Sequence, residues 1–135
     1  MPCDNRYFTI VFKEGLVLIT NIICIRCPLG CLLTVEVELG AVCHVSGQSC
    51  NRGECYAKQE AIQPLRILTG NMRAAGCRRP FSIITNKPIP KDLLLACAAE
   101  IRKHHPEPPI FSGDVVIENI LGTGSDVIAT QDCFL

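Results

Sequence analysis

Cys24-Ile25-Arg26-Cys27-Pro28-Leu29-Gly30-Cys31 packs three thiols into one short stretch, and Cys50 adds a fourth after a hairpin-length interval. Nothing else in the chain restricts its fold as strongly, because sulfurs spaced this way are built to meet at one centre. Pro28 stops a regular helix from forming through the stretch, and Gly30 lets the backbone come close to whatever the sulfurs hold. The chain has ten cysteines in 135 residues, so the first choice lies between a disulfide framework and metal ligation. No segment combines a charged start, an apolar run and a small-residue cleavage site, so no secretory signal is read and a cytoplasmic location is expected. Without export a disulfide framework is not expected, and ligation is favoured. Scarce aromatic residues and many thiols of the exposed type also suit an anaerobic cell.

Two kinds of centre use four cysteines. An iron–sulfur cubane needs four thiolates converging on four irons at distinct corners. The C-x-x-C-x-x-x-C spacing lets one loop wrap three corners through Cys24, Cys27 and Cys31, and Cys50 closes the fourth. Zinc needs only a tetrahedron of thiolates, and its sites usually present paired C-x-x-C knuckles. A second knuckle is missing here, since Cys50 is followed by Cys55 at a longer interval. The spacing therefore favours iron–sulfur, with Zn2+ as the alternative. A redox dithiol of Cys50 and Cys55 carries little weight, because Cys55 falls just inside a predicted helix. Arg26 and Arg52 are placed to offset part of a cluster's negative charge.

The same residues carry a resemblance. Ile23 to Glu60 resembles the N-terminal iron–sulfur segment of molybdopterin oxidoreductases such as formate dehydrogenases and periplasmic nitrate reductases. Gly30-Cys31, Gly47 and Cys50-Asn51-Arg52-Gly53 match that pattern. The resemblance implies a 4Fe-4S cluster on Cys24, Cys27, Cys31 and Cys50, with Arg52 where those enzymes keep a basic residue between cluster and pterin. The interval from Cys31 to Cys50 is shorter than in most of them, and the large pterin-cradling domains are missing, so a molybdenum enzyme is not expected. After Leu18 nearly the whole chain is similar to a small bacterial and archaeal family of unknown function with four shared cysteines. The shared features are the cysteine octet, Gly47 with Cys50-Asn51-Arg52-Gly53, Pro88-Ile89-Pro90-Lys91, Gly113-Asp114-Val115-Val116 and Asn119-Ile120-Leu121-Gly122-Thr123-Gly124. Membership implies a partner: a flavoprotein related to glycerol-3-phosphate dehydrogenase, or an FAD-dependent, NAD(P)-linked oxidoreductase.

Around the cysteines the chain reads as an α+β protein: a cysteine-ligated lobe with a β-hairpin (18–61), a connection or loose hairpin (62–75) and a mixed C-terminal lobe (76–135). Leu33 to Glu38 alternates apolar and polar residues as a half-buried strand does, Leu39-Gly40 turns, and Ala41 to Val45 returns. Glu54 to Ala61 has the composition of a short helix. Asp92 to Lys103 predicts the main helix of the second lobe, with Leu93, Cys97 and Ile101 on one face. Pro88 and Pro90 precede it, and Pro106 onward ends it. Asp114 to Ile117 and Asp126 to Thr130 read as strands. Residues 1–17 read as a non-native or disordered extension, with the natural start expected near Val17 or Leu18. Lys13-Glu14-Gly15 has codons that can spell a ribosome-binding site, and Val17 and Leu18 can be read from alternative start codons. A genuine strand at Tyr7 to Phe12, which lacks an obvious hairpin partner, is the alternative.

The formal net charge is zero, and no basic run is interleaved with stacking residues, so a nucleic-acid partner is not expected. The most apolar early run, Gly15 to Ile23, is too short to span a bilayer. Gly122-Thr123-Gly124-Ser125 lacks the lysine and helix of a phosphate loop and reads as a turn. His104-His105 reads as a solvated helix end, and His44 as a surface strand residue. Arg78-Arg79 reads as a solvated pair. Cys43, Cys77, Cys97 and Cys133 show no mutual spacing logic, with Cys97 on a buried helix face and Cys133 in a frayed tail. No nucleophile or general base stands out. The reading is an iron–sulfur electron-transfer or accessory subunit of an anaerobic flavoprotein dehydrogenase system, with a zinc-stabilised adaptor as the rival and a stand-alone enzyme last.

Overall fold

The computed structural model describes residues 7–12 and 15–135, with side chains from Val17 onward. The fold is mixed α+β and divides into two compact units, residues 1–64 and 65–135. Most regular elements are strands, joined by two α-helices.

Unit 1 is an antiparallel meander in the order β1 (Tyr7–Phe12), β2 (Gly15–Ile23), β3 (Leu32–Glu38), β4 (Ala41–Ser46), followed by helix α1 (Asn51–Ile62). The expected alternation holds in β3: Leu33, Val35 and Val37 are buried and the residues between them are not. With Val45 of β4 and Ala57 of α1 they form the core of this unit, flanked by Leu18, Ile22, Val42, Tyr56 and Ala61. Leu39 and Gly40 both take positive φ (50° and 81°), the signature of the two-residue hairpin turn expected there. The pairing shifts between Glu36 and Val37, so that Glu36 faces His44 while Val37 faces Val42. Cys43 is the extra residue of this bulge and is exposed.

Two features of unit 1 depart from expectation. Tyr7–Phe12, read as part of an extension with a genuine strand as the alternative, is that strand and pairs along its length with Gly15–Thr20. The partner was hidden because β2 is a nearly unbroken apolar run without the alternation that marks a half-exposed strand. Residues 1–6, 13 and 14 of that extension, including Lys13-Glu14, lie outside the described residues. Helix α1 also begins earlier than Glu54, with Cys50 at its N-cap and extended backbone there.

Unit 2 is built on a second antiparallel sheet in the order β6 (Thr69–Met72), β7 (Phe81–Thr85), β10 (Val127–Ala129), β9 (Val115–Ile117). A short ladder pairs β5 (Leu65–Arg66) with β8 (Ile89–Pro90). Residues 62–75 are therefore not a bare connection: they end α1 and supply β5 and β6, which pair with later strands. Strand β7 was not foreseen, since Phe-Ser-Ile-Ile-Thr is a five-residue run closed in by Pro80 and Asn86-Lys87-Pro88.

The main helix is observed as a single 3-10 turn (Lys91–Leu93) running into α2 (Leu94–Lys103). Cys97 and Ile101 are its buried residues. They join Met72, Phe81, Ile83, Ile89, Val127 and Ala129 in the core of unit 2. Burying side chains of this size contributes roughly 1.5–3 kcal/mol each, so the helix stripe and the inward residues of β7 and β10 hold the unit together. The β9–β10 connection is fastened by side chains: Ser125, fully buried, donates to the Lys87 carbonyl (2.9 Å), and Asp126 accepts from the Asn119 amide (2.9 Å) and the Asn86 side chain (2.9 Å). The expected turn at Gly122–Ser125 is thus a fastened loop.

Candidate functional site

The cysteine octet begins and ends where β2 and β3 stop pairing. Ile23 and Leu32 are the last cross-strand pair, and the ladder gains one more bond beyond it, from the Cys24 amide to the Cys31 carbonyl (2.8 Å). That bond makes residues 24–31 a closed loop with a thiol at each base and Cys27 within it. Cys24 points inward and is only 4% exposed, while Cys27 and Cys31 are half-buried. Gly30 takes φ +61°, the left-handed geometry that lets so short a loop return.

A second glycine brings the residues on either side of the remaining cysteine to the loop. After β4 the chain turns at Gly47 (φ +85°), where a Cβ would lie 2.1 Å from the Leu32 carbonyl oxygen. Only a bare backbone can cross β3 there. The crossing carries Ser49 to the octet, and its hydroxyl lies 3.3 Å from the Cys31 sulfur. Cys50 follows at once and caps α1, and the helix start returns to the octet, since a Cβ on Gly53 would sit 3.7 Å from the Cys24 sulfur. Cys24, Cys31 and Cys50 are thereby tied to one end of unit 1.

The electrostatics of this end favour thiolate. The Cys50 side chain closes no full capping hydrogen bond. The Gly53 amide beside it nonetheless lowers its pKa, against an opposing effect of burial, and the Arg52 amide and guanidinium add to the lowering. Gly53 needs no unusual backbone angle, and a helix glycine costs about 1 kcal/mol relative to alanine. It leaves an open cradle against the Cys24 sulfur, bounded by the Gln48 Cβ (3.5 Å) and Leu33 Cδ2 (3.9 Å). Gln48 Oε1 is buried without a hydrogen-bond partner among the described residues, in the loop that leads to Cys50. Thiols, a lowered thiol pKa and a cradle beside the Cys24 sulfur fit a thiolate-ligated inorganic group. Among the described residues, however, no three His, Cys, Asp or Glu side chains stand in metal-holding geometry.

The rim of the loop is apolar. Ile23, Ile25, Leu29 and Leu32 are 62%, 72%, 76% and 61% exposed, unusual for four large aliphatic side chains on so few residues. Of the other candidates, Cys55 is exposed, and His104 meets the Glu100 carbonyl (3.0 Å) at the end of α2. Cys97 is fully buried, and burial pushes its pKa up. Sequence reasoning missed a pairing of Cys77 with Cys133, whose sulfurs lie 3.4 Å apart in unit 2. The tail is not frayed at Cys133: it forms an antiparallel bridge with Ile110 through bonds of 2.8 and 3.0 Å.

Fold and site define a two-unit α+β protein whose first unit gathers thiols at the end of a meander sheet. Among the described residues no helix is long and apolar enough to cross a membrane. The chain belongs to the family of proteins of unknown function designated DUF1667, which matches residues 51–131. The match begins directly after Cys50, so it covers α1 and the described elements of unit 2 but not the octet. The NMR structure of Clostridium perfringens protein CPE0013 is similar, with 27% identity over 50% of this chain and 82% of that one and a TM-score of 0.46. A search of the curated proteins finds no relative.

Proposed function

We propose that Cys24, Cys27, Cys31 and Cys50 hold a 4Fe-4S cluster, and that the chain is an electron-transfer subunit of a flavoprotein dehydrogenase system. The observation that supports this reading is the closed loop of three cysteines whose Cys31 sulfur lies 3.3 Å from the hydroxyl of Ser49, the residue before Cys50 with its lowered thiol pKa. Such a cluster supplies one-electron chemistry, which links a flavin to a second carrier. The residues around it have separate tasks. Cys24 anchors the octet in the core of unit 1. The Gly53 amide and Arg52 stabilise negative charge at Cys50, and Arg26, exposed within the loop, adds a second cation. Ile25 and Leu29 present an apolar surface on which a partner would seat while excluding water. The partner proposed is a flavoprotein dehydrogenase or an FAD/NAD(P)-linked oxidoreductase.

The test is electron paramagnetic resonance on protein purified without air, titrated with dithionite and then with reduced flavin. The proposal expects a silent oxidised state and a one-electron, spin-half signal on reduction. A colourless protein holding one zinc and giving no signal identifies the adaptor instead and refutes the proposal.

A further inference from the structure

The pairing of Cys77 with Cys133 lies outside the octet and 56 residues apart in sequence. Both sulfurs are held in place. Cys77 sits in the β6–β7 connection on a tight turn, its amide bonded to the Ala74 carbonyl (3.2 Å), and its thiol donates to the Phe134 carbonyl (3.3 Å). Cys133 is fixed by its bridge to Ile110, and the next residue packs edge-on against Phe111 with ring centroids 5.7 Å apart. At 3.4 Å the sulfurs need only side-chain rotation and a small approach to reach bonding distance.

The pair also faces a usable space. Cys77 and Cys133 line a surface cavity of about 540 Å3 together with Arg78, Arg79, Pro80 and Phe81. Two other cavities of unit 2, of about 230 and 270 Å3, contain no thiol. The two thiols differ in the way an exchange centre requires. Cys77 is half-buried, whereas Cys133 is only 7% exposed. Burial pushes the Cys133 thiol pKa up, and the adjacent Cys77 adds to the effect. An accessible sulfur beside a protected one is the arrangement of an attacking and a resolving cysteine.

We propose that Cys77 and Cys133 form a dithiol–disulfide centre that exchanges two electrons with a small, negatively charged disulfide entering the 540 Å3 cavity. Cys77 gives up its thiol proton, which leaves with the departing group, and its sulfur attacks one sulfur of the incoming disulfide. The S–S bond of that molecule breaks, one thiol departs, and a mixed disulfide remains on Cys77. Cys133 then gives up its proton and attacks the Cys77 sulfur, releasing the second thiol. The protein dithiol is oxidised by two electrons to an internal disulfide, and the incoming disulfide is reduced to two thiols. Arg78 and Arg79, exposed at the cavity wall, outnumber its one carboxylate side chain, Asp132, and so favour negative charge on the substrate. The centre is independent of the proposed cluster and stands if that cluster is absent.

Oxidised glutathione, with neutral hydroxyethyl disulfide beside it, is the probe to use on the full-length protein under anaerobic conditions. Peptide mapping after acid quench should show Cys77 linked to Cys133 and two glutathiones released per chain, reversed by dithiothreitol. Cys133→Ser should stop at the first step, with one glutathione retained on Cys77. Arg78→Ala with Arg79→Ala should slow the glutathione reaction about threefold or more relative to hydroxyethyl disulfide. A wild-type protein that keeps glutathione on Cys77 without forming the linked peptide overturns the proposal, as does modification of Cys133 before Cys77. Equal slowing of both probes removes the charge selection. The wild-type map decides the central point without any variant.

Discussion

Gly47→Ala tests whether the backbone crossing assembles the site. The residue would sit at φ +85°, where a side chain costs roughly 1–2 kcal/mol. Its Cβ would also lie 2.1 Å from the Leu32 carbonyl oxygen, whereas ordinary contact begins at 3.4 Å. The carbonyl belongs to β3, whose Leu32 is paired with Ile23, so it cannot retreat cheaply. The loop must move instead, by more than about 1 Å, and it carries Ser49 away from Cys31. Gly40→Ala is the matched control. Gly40 has a similar φ of +81° but nothing within 4 Å of an added Cβ. The control should lose about 1 kcal/mol and Gly47→Ala about 3 kcal/mol or more. For a unit of this size these losses correspond to roughly 4–8 °C and more than about 12 °C in Tm. Circular dichroism melts of the metal-free protein, paired with iron content after anaerobic reconstitution, provide the readout. Gly40→Ala should load iron fully and Gly47→Ala should not. Equal melting shifts, or full iron in Gly47→Ala, would refute the reasoning.

Further outcomes follow from the contacts of Cys50, Gly53 and Ser125. The Cys50 thiol, lowered chiefly by the Gly53 amide and secondarily by Arg52, should be alkylated with a pH midpoint below its ordinary value. Its stabilising effect on the metal-free fold should be complete above the unfolded thiol's pKa and vanish as pH falls through the folded one. Arg52→Ala should raise the alkylation midpoint only part of the way, and an unmoved midpoint would remove Arg52 from the site. Gly53→Ala should stabilise metal-free α1 by up to about 1 kcal/mol in urea melts while weakening iron retention, because the methyl fills the cradle beside Cys24; unchanged retention argues against the cradle. Ser125→Ala strands the Lys87 amide that donates to the hydroxyl (3.1 Å) and should cost about 1–3 kcal/mol by urea unfolding. A loss below a few tenths would show that the β9–β10 fastening is not structural.

The parts legible in the sequence were those written in short-range periodicity. The alternation of Leu33, Val35 and Val37, the Leu39-Gly40 turn and the Cys97–Ile101 stripe each needed only a few neighbours to declare themselves. Strand β1 was legible only as an alternative, β2 was hidden by its unbroken apolar run, and β7 depends on distant partners: it becomes central only once Thr69–Met72 and Val127–Ala129 flank it. The octet suggested a common centre by spacing alone, yet the sequence did not reveal the constraint at Gly47, since the clash involves a carbonyl on another strand. The same limit hid Cys77 and Cys133, which share no local pattern and meet only when the tail bridges to Ile110.

Iron and acid-labile sulfide counted on anaerobically prepared protein, wild type beside Cys50→Ser, probe the proposed centre most directly. The account predicts about four irons and four sulfides per wild-type chain, with a marked loss in the variant. A wild-type protein that binds zinc in preference to iron, or a Cys50→Ser variant that retains the full complement, would contradict it.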